Sequence, residues 1–565
     1  YSNSAKIALM NNTSLYLGKG TRLEFRNLFN QAGTSRYIKR TGREWYNNGR
    51  YILSEELRYL SRSIYTGQLA GEHSFGEGKT KFDWILGYAA SNKNEPDTKR
   101  YRFLRDETDP DKYMLLFSDQ ADLSSQSRMW INLNENTISA SLNVTRQLKM
   151  GGFKPEIKAG FYYENKDRSF HARNFGYAKG SSESTFGQTW LPVDQIFTDE
   201  NINLTSGIKL TEVTALSDSY TAANNQIAGY FSTRVPIGEK VNFYAGLRLE
   251  KNRQTLSSYK QASSIQVNVD RDTLNFFPSA NLTYNFSEKS LVRAAYGMTI
   301  NRPEFREIAP FYYVDFEQNA GIYGAPGIKQ AYIHNFDLRY EYYPAPGETF
   351  NIGMFYKKFF NPIEQIILGN NPTQYSFENV ESAYSAGIEA ELRKSLEFIP
   401  GLQNFMFVLN STFIGSRVTF PEGSLSRDRS LEGQSPYIVN AGIYYQGEKN
   451  GLMISMLYNI IGKRIIAVGR PSPNEWEDIP DIYEMPRNII DLTVSKTIGK
   501  RFEIKGGIKD LLNEKAEYMQ SVNALVDMST YTKGAESGIK QFNRKQYTRT
   551  YFPGRYFSLG ITMKL

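Results

Sequence analysis

Along most of this chain, apolar and polar residues alternate one by one, and the alternating segments are joined by connections that are short and long in turn. A period of two is the pattern of extended strands, because successive side chains of a strand point to opposite faces. In VNFYAGLRLE, residues Val241, Phe243, Ala245, Leu247 and Leu249 share one face, and Asn242, Tyr244, Gly246, Arg248 and Glu250 share the other. Val292, Ala294, Tyr296, Met298 and Ile300 likewise oppose Arg293, Ala295, Gly297, Thr299 and Asn301. Tyr384, Ala386, Ile388, Ala390 and Leu392 oppose Ser385, Gly387, Glu389, Glu391 and Arg393. Short polar turns fall at 17–22, 76–79, 237–240, 287–290, 447–450 and 498–501. Long polar stretches lie around 90–127, 165–222, 252–272, 302–330, 416–436, 467–487 and 513–552. A sandwich or propeller has no reason to sort its connections this way. A barrel with one short-turn rim and one long-loop rim does.

The apolar faces of such strands meet either each other or lipid. No window approaches the roughly 18 uninterrupted apolar residues of a spanning helix, which excludes a helical membrane protein. Spanning strands leave no such signature, so the low mean hydropathy of −0.50 does not exclude them. Two features favour lipid. The polar faces carry paired opposite charges, such as Arg248 with Glu250, which suit a wet lumen. Tyrosines gather near strand ends (Tyr162, Tyr163, Tyr342, Tyr343, Tyr444, Tyr445), where interfacial girdles require them. The expectation is all-β: a large antiparallel transmembrane β-barrel spanning residues 1–565. Val292, Ala294, Tyr296 and Met298 should face lipid, and Arg248, Glu250, Arg293, Thr299, Glu389 and Glu391 the lumen.

The alternation yields about 19 strands, a size that side chains alone do not fill, so the lumen is open or plugged. The first and last strands both end at the short-turn rim, which makes the count odd. Joining them directly would give a parallel seam, so at least one strand is expected upstream, with a visible gap beside residues 4–16. The opening YSNSAKIALMNNTSLYL carries no leader pattern, which fits an internal cut in a longer precursor. In the last strand Phe557, Leu559, Ile561, Met563 and Leu565 alternate outward as a terminal assembly strand.

Several segments together resemble the barrel of TonB-dependent outer-membrane receptors, most closely the SusC-like and carboxypeptidase-regulatory-domain-bearing branch. They are RLEFRNLFNQAG (22–33), LAGEHSF (69–75), FPSANLTYNFSEKSLVRAAYGMTINRPEFREIAPF (277–311), AYIHNFDLRYEYYPAPGETFNIGMFYKKFFNPIEQ (331–365), NIIDLTVSKTIGKRFEIKGGIKDLLNE (488–514) and FPGRYFSLGITMKL (552–565). The strand, NRPxFRE, strand segment is the most specific of these. The resemblance implies a barrel of the 22-stranded type in a Gram-negative outer membrane, with a plug upstream and short periplasmic turns. It implies ligand capture by the long extracellular loops and import driven by a TonB-type complex acting on the plug. It also implies a possible surface lipoprotein partner of the SusD type or a larger surface complex. The family's plug and TonB-contacting segment have no counterpart in this sequence, and the chain ends on Leu565 where the family usually ends on an aromatic. A passive porin-like barrel, or a scaffold barrel in a surface complex, is the alternative.

Composition narrows the chemistry. With no cysteine there are no disulfides, thiolate metal sites or cysteine nucleophiles, and three histidines offer little for imidazole zinc sites. A formal net charge of +8 without a basic run gives no footprint for nucleic acid. HSFGEGKT (73–80) ends like a phosphate-binding loop, but His73 stands where the first glycine must be and no helix follows, so it reads as a hairpin turn. DETDPDKY (106–113) offers Asp106, Asp109 and Asp111 to a cation, but it lacks EF-hand spacing and reads as a solvated loop. His73, His171 and His334 are too scattered to suggest a shared site. No catalytic residue, cofactor or metal is expected.

Overall fold

The computed structural model describes all residues except 19, 45–49, 77, 107, 108, 110, 152, 153, 370–373, 425, 448–450, 473–477, 500, 528–538, 564 and 565. Among the described residues, nineteen strands form one continuous antiparallel meander. They are β1 (Ser2–Leu17), β2 (Thr21–Glu44), β3 (Arg50–Phe75), β4 (Thr80–Arg105), β5 (Ser127–Gln147), β6 (Glu156–Lys179), β7 (Ser219–Ile237), β8 (Val241–Tyr259), β9 (Gln266–Asn285) and β10 (Ser290–Asn301). The series continues with β11 (Ala331–Tyr342), β12 (Thr349–Phe360), β13 (Ser382–Ser395), β14 (Phe405–Thr419), β15 (Tyr437–Gly447), β16 (Leu452–Ile461), β17 (Asn488–Ile498), β18 (Phe502–Lys509) and β19 (Tyr556–Met563). Each strand pairs with the next through the sheet. The turns do what hairpins need. Gly238, for example, sits at φ +60 with open space where a Cβ would be, so glycine is there for its backbone and not for room.

The two faces differ as the alternation requires. On one face Phe231, Leu247, Leu249, Leu274 and Phe276 are 42 to 57% exposed, and opposite them Glu250, Asn252 and Asn275 are buried. The apolar face ends sharply. Leu249 is followed on its face by Lys251 and Arg253, which pair with Asp272 (3.2 Å) and Asp270 (2.7 Å) on β9. On β9 the apolar stretch runs from Leu274 to Tyr284. At about 3.3 Å per residue this is about 33 Å of strand, or about 25 Å in height at the usual tilt, matching the lipid band of an outer-membrane barrel.

Above that band the strands continue. β3 and β4 each have 26 residues, more than twice the roughly 9–11 needed to span a bilayer. Much of the expected loop sequence at 90–127, 165–222 and 252–272 is therefore strand. The tyrosine girdle also needs revision, because neighbouring tyrosines must split between faces. Tyr162 donates to Glu164 at 2.6 Å and carries Arg248 over its ring, and Tyr343 donates to Glu341 at 2.7 Å, so both belong to the polar face.

The sheet has two free edges among the described residues. β1 pairs only with β2 and β19 only with β18, and both are exposed along their whole length. β1 and β19 run in the same direction, and the gap beside residues 4–16 is present as expected. Phe557, Leu559, Ile561 and Met563 are 55 to 77% exposed on one face of β19; Leu565 lies outside the described residues.

Candidate functional site

The polar face is concave, and the segment after β10 shows it. Pro303 removes a ladder donor just past Asn301, and the chain leaves the sheet. It makes one helical turn, Phe305–Ile308, then a hairpin of Tyr312–Asp315 and Ala320–Tyr323. Phe305, Ile308, Ala309 and Phe311 are at most 5% exposed and pack against Phe170, Tyr220, Leu256 and Val269 from β6 to β9. Phe170 meets Phe311 edge-on at 4.9 Å, and Arg168 lies over Phe305 at 5.0 Å. Arg302 pairs with Glu250, Gln254 donates to the Pro303 carbonyl (2.8 Å) and Arg271 to the Pro326 carbonyl (2.6 Å). Gly324 lets the hairpin cross the helical turn: a Cβ there would meet the Ala309 carbonyl oxygen at 1.8 Å.

The far end of this strap touches the opposite side of the sheet. Arg40 of β2 donates to the Phe316 carbonyl (2.6 Å), and Arg100 of β4 donates to the Val314 carbonyl (3.1 Å). One face of β6–β9 and the same face of β2–β4 thus grip a single segment between them, so the sheet is curled around it.

The sequence-chosen polar residues lie on this inner face in two groups. Arg248 and Glu250 pair at 2.8 Å, and Gln226 and Arg302 complete the shell of Glu250. Farther round, Arg293 and Arg339 stand directly opposite each other on β10 and β11, a like-charge pairing neutralised by Glu341 at 3.1 and 3.4 Å. Arg339 also reaches Glu391 (3.3 Å), which accepts from Asn351 (2.9 Å); Glu389 lines the same depression. The structure does not join the two groups into one site. The strap follows the NRPEFRE motif and is not visible in the alternation, because an irregular segment carries no periodicity; its signal is the density of aromatic residues in EFREIAPFYYVDF.

The remaining loops build a cap. Strands Ile363–Ile367 and Gln374–Asn379 join the strap hairpin in one small sheet, and Arg464–Ala467, Ile482–Glu484, Ala516–Asp527 and Ile539–Tyr551 form a second. Glu364 and Arg429 form an ion pair at 2.9 Å with side chains 7 and 6% exposed. Burial raises the Glu364 carboxyl above its ordinary range, and Arg429 opposes this. Glu432 is pushed up to about 7, first by burial, with Glu364 and Asp481 adding repulsion and Arg429 opposing. A carboxyl whose folded value is raised stabilises the fold below its unfolded value of about 4.5 and loses that contribution as pH rises through about 7. The cap should therefore loosen between these limits, by on the order of 3 kcal/mol. E432Q should flatten the profile, measured by hydrogen exchange of residues 363–379 and 464–484; an unchanged profile in E432Q would assign the titration elsewhere.

The other motifs find local roles. Between β3 and β4, Lys79 N–H donates to the Gly76 carbonyl (3.2 Å), and residue 77 of the expected turn lies outside the described residues. Asp106 and Asp109 accept from the backbone of their own turn, at Asp109 (2.9 Å) and Asp111 (3.2 Å) respectively. His73, His171 and His334 lie on β3, β6 and β11, bonded to Trp84, Ser219 and Tyr296.

Known structures share this architecture. The siderophore receptor PiuA of Acinetobacter baumannii superposes with TM-score 0.51 at 10% identity, covering 100% of this chain and 81% of its own. The closed form of the ferric-catecholate import receptor Fiu of E. coli K12 gives 0.52 at 11%, over 100% and 81%. BauA, the ferric preacinetobactin receptor of A. baumannii, gives 0.55 at 10%, over 100% and 78%. At such identities the likeness is one of fold. No curated protein matches the chain. The family model described as TonB dependent receptor-like, beta-barrel matches residues 3–511. The match is to the barrel family at large and does not single out the SusC-like branch. Since it runs from β1 through β18 of the curled sheet, this chain belongs to the TonB-dependent receptor-like β-barrel family.

Proposed function

We propose that this chain is the wall of an outer-membrane receptor that captures a ligand on its loop cap and imports it with energy delivered through TonB. The observation that carries the reading is the family match over residues 3–511 on a sheet with a lipid-height apolar band outside and a charged face inside. Arg248, Glu250, Arg293, Glu389 and Glu391 then line the lumen, and Phe557, Leu559, Ile561 and Met563 face lipid on the terminal assembly strand. Neighbours named as siderophore and ferric-catecholate receptors support an iron chelate as the ligand class. A SusD-like partner has no such support and forms no part of the proposal.

The same reading includes a plug upstream of Tyr1 and three strands between the free edges of β1 and β19. Three strands restore antiparallel pairing at the seam and bring the wall to 22, and lipid tolerates no open edge. About a fifth of each neighbour's own chain lies beyond what this one covers. The full-length protein in planar bilayers should carry almost no current at rest and conduct once the upstream domain is deleted. A native product that starts at Tyr1 and conducts at rest would refute the plug and favour a passive pore.

A further inference from the structure

The tip of the strap is Asp315, Phe316, Glu317, Gln318 and Asn319, an acidic and aromatic turn, and it is seated among arginines. Glu317 pairs with Arg36 of β2 (2.5 Å) and with Arg549 of the last loop hairpin (3.6 Å). Phe316 is 9% exposed, and the guanidinium groups of Arg40 (5.0 Å) and Arg100 (5.7 Å) both lie over its ring. Arg40 also donates to the Phe316 carbonyl and to Asn319 (2.7 Å). Arg100 also pairs with Glu56 of β3 at 2.8 Å.

The strap is held unequally. Its root is apolar and fully buried, whereas its tip is held by pairs whose side chains are 26 to 43% exposed. Exposed ion pairs are weak and exchange readily with competing ions, while stacking of guanidinium on an aromatic face survives only when the ring is replaced by another ring.

We propose that Arg36, Arg40, Arg100 and Arg549 form a binding site for an aromatic polyanion, and that the strap tip occupies it as a built-in mimic until such a ligand displaces it. The carboxylate of Glu317 stands where an anionic group of the ligand would sit, and the Phe316 ring where its aromatic ring would stack. Aromatic polycarboxylates and catecholates share this chemistry. Displacement would free the tip to swing about its buried root, clearing the inner face. The link between binding and import rests on the proposed uptake function; binding itself does not.

This chain has no cysteine, so in the full-length protein, with every cysteine upstream of Tyr1 changed to serine, Gln318→Cys accepts a single spin label. Trimesate, a benzene ring with three carboxylates, serves as the probe, and its neutral trimethyl ester as the control. Trimesate should convert the label from an immobile to a mobile spectrum with saturation, and the ester should not. By calorimetry, F316A/E317Q should bind trimesate at least tenfold more tightly than the parent, because the internal competitor is gone, and R36A/R40A should lose binding. The idea is overturned if F316A/E317Q binds no more tightly, if R36A/R40A binds as well as the parent, or if trimesate binds without mobilising the tip. Uptake that proves independent of TonB would sink the transport reading and leave these results intact.

Discussion

Replacing Arg429 with alanine is expected to open the loop cap while leaving the wall assembled. Arg429 is 6% exposed, pairs with Glu364, donates to the carbonyls of Gln365 (3.3 Å) and Ser430 (3.1 Å), and lies over the Phe420 ring at 5.5 Å. Removing it strands a buried carboxylate, a loss of about 3–5 kcal/mol when the charge persists. Burial already raises the Glu364 carboxyl, so the loss should shrink as pH falls and Glu364 takes up a proton. R429M/E364L should recover most of the stability, since an apolar pair of similar volume carries no desolvation cost. The readout is hydrogen exchange in residues 363–379 and 416–436, with the β7–β9 ladder as the internal reference. If R429A leaves those loops as protected as before, the pair does not hold the cap.

The second large effect distinguishes lipid from water. Leu247 lies between Phe231 and Pro278 on the outer face, near the middle of its apolar band, and is 50% exposed. In water an arginine at so exposed a position would be nearly neutral. In a bilayer midplane it costs about 2–4 kcal/mol. L247R should therefore lower the folded fraction in lipid vesicles by that amount, scored by heat-modifiable mobility. R248L, one residue away on the other face, should be tolerated, because Glu250 keeps Arg302 and Gln226. Equal tolerance of L247R and R248L would remove the lipid-facing assignment.

How much of this was legible in the sequence follows from where the alternation survives. Inside the lipid band one face meets hydrocarbon and the other water, so every strand declares itself, and nineteen could be counted. Above the band both faces are wet. On β6, Asn165, Asp167 and Ser169 share one face and Lys166 and Arg168 the other, and hydrophobicity no longer alternates although the ladder continues to Lys179. Those stretches look like loops in the sequence for that reason alone. The charges of the polar face were legible one by one, but not their partition into two groups, since that depends on the curl of the sheet. Least visible was the strap, whose tip contacts, such as Arg40 to Phe316 and Arg100 to Val314, join residues more than 200 positions apart.

If the complete protein imports its ligand with energy from TonB, as proposed, the rate of radioactive iron accumulation in intact cells reports it. Cells carrying the full-length protein as their only such receptor would be offered ferric catecholate, hydroxamate and citrate chelates, with TonB present or deleted. At least one chelate should accumulate against its gradient, and that accumulation should vanish when TonB is absent. Accumulation that proceeds equally without TonB, or no accumulation of any chelate beyond that of receptor-free cells, would contradict the proposal.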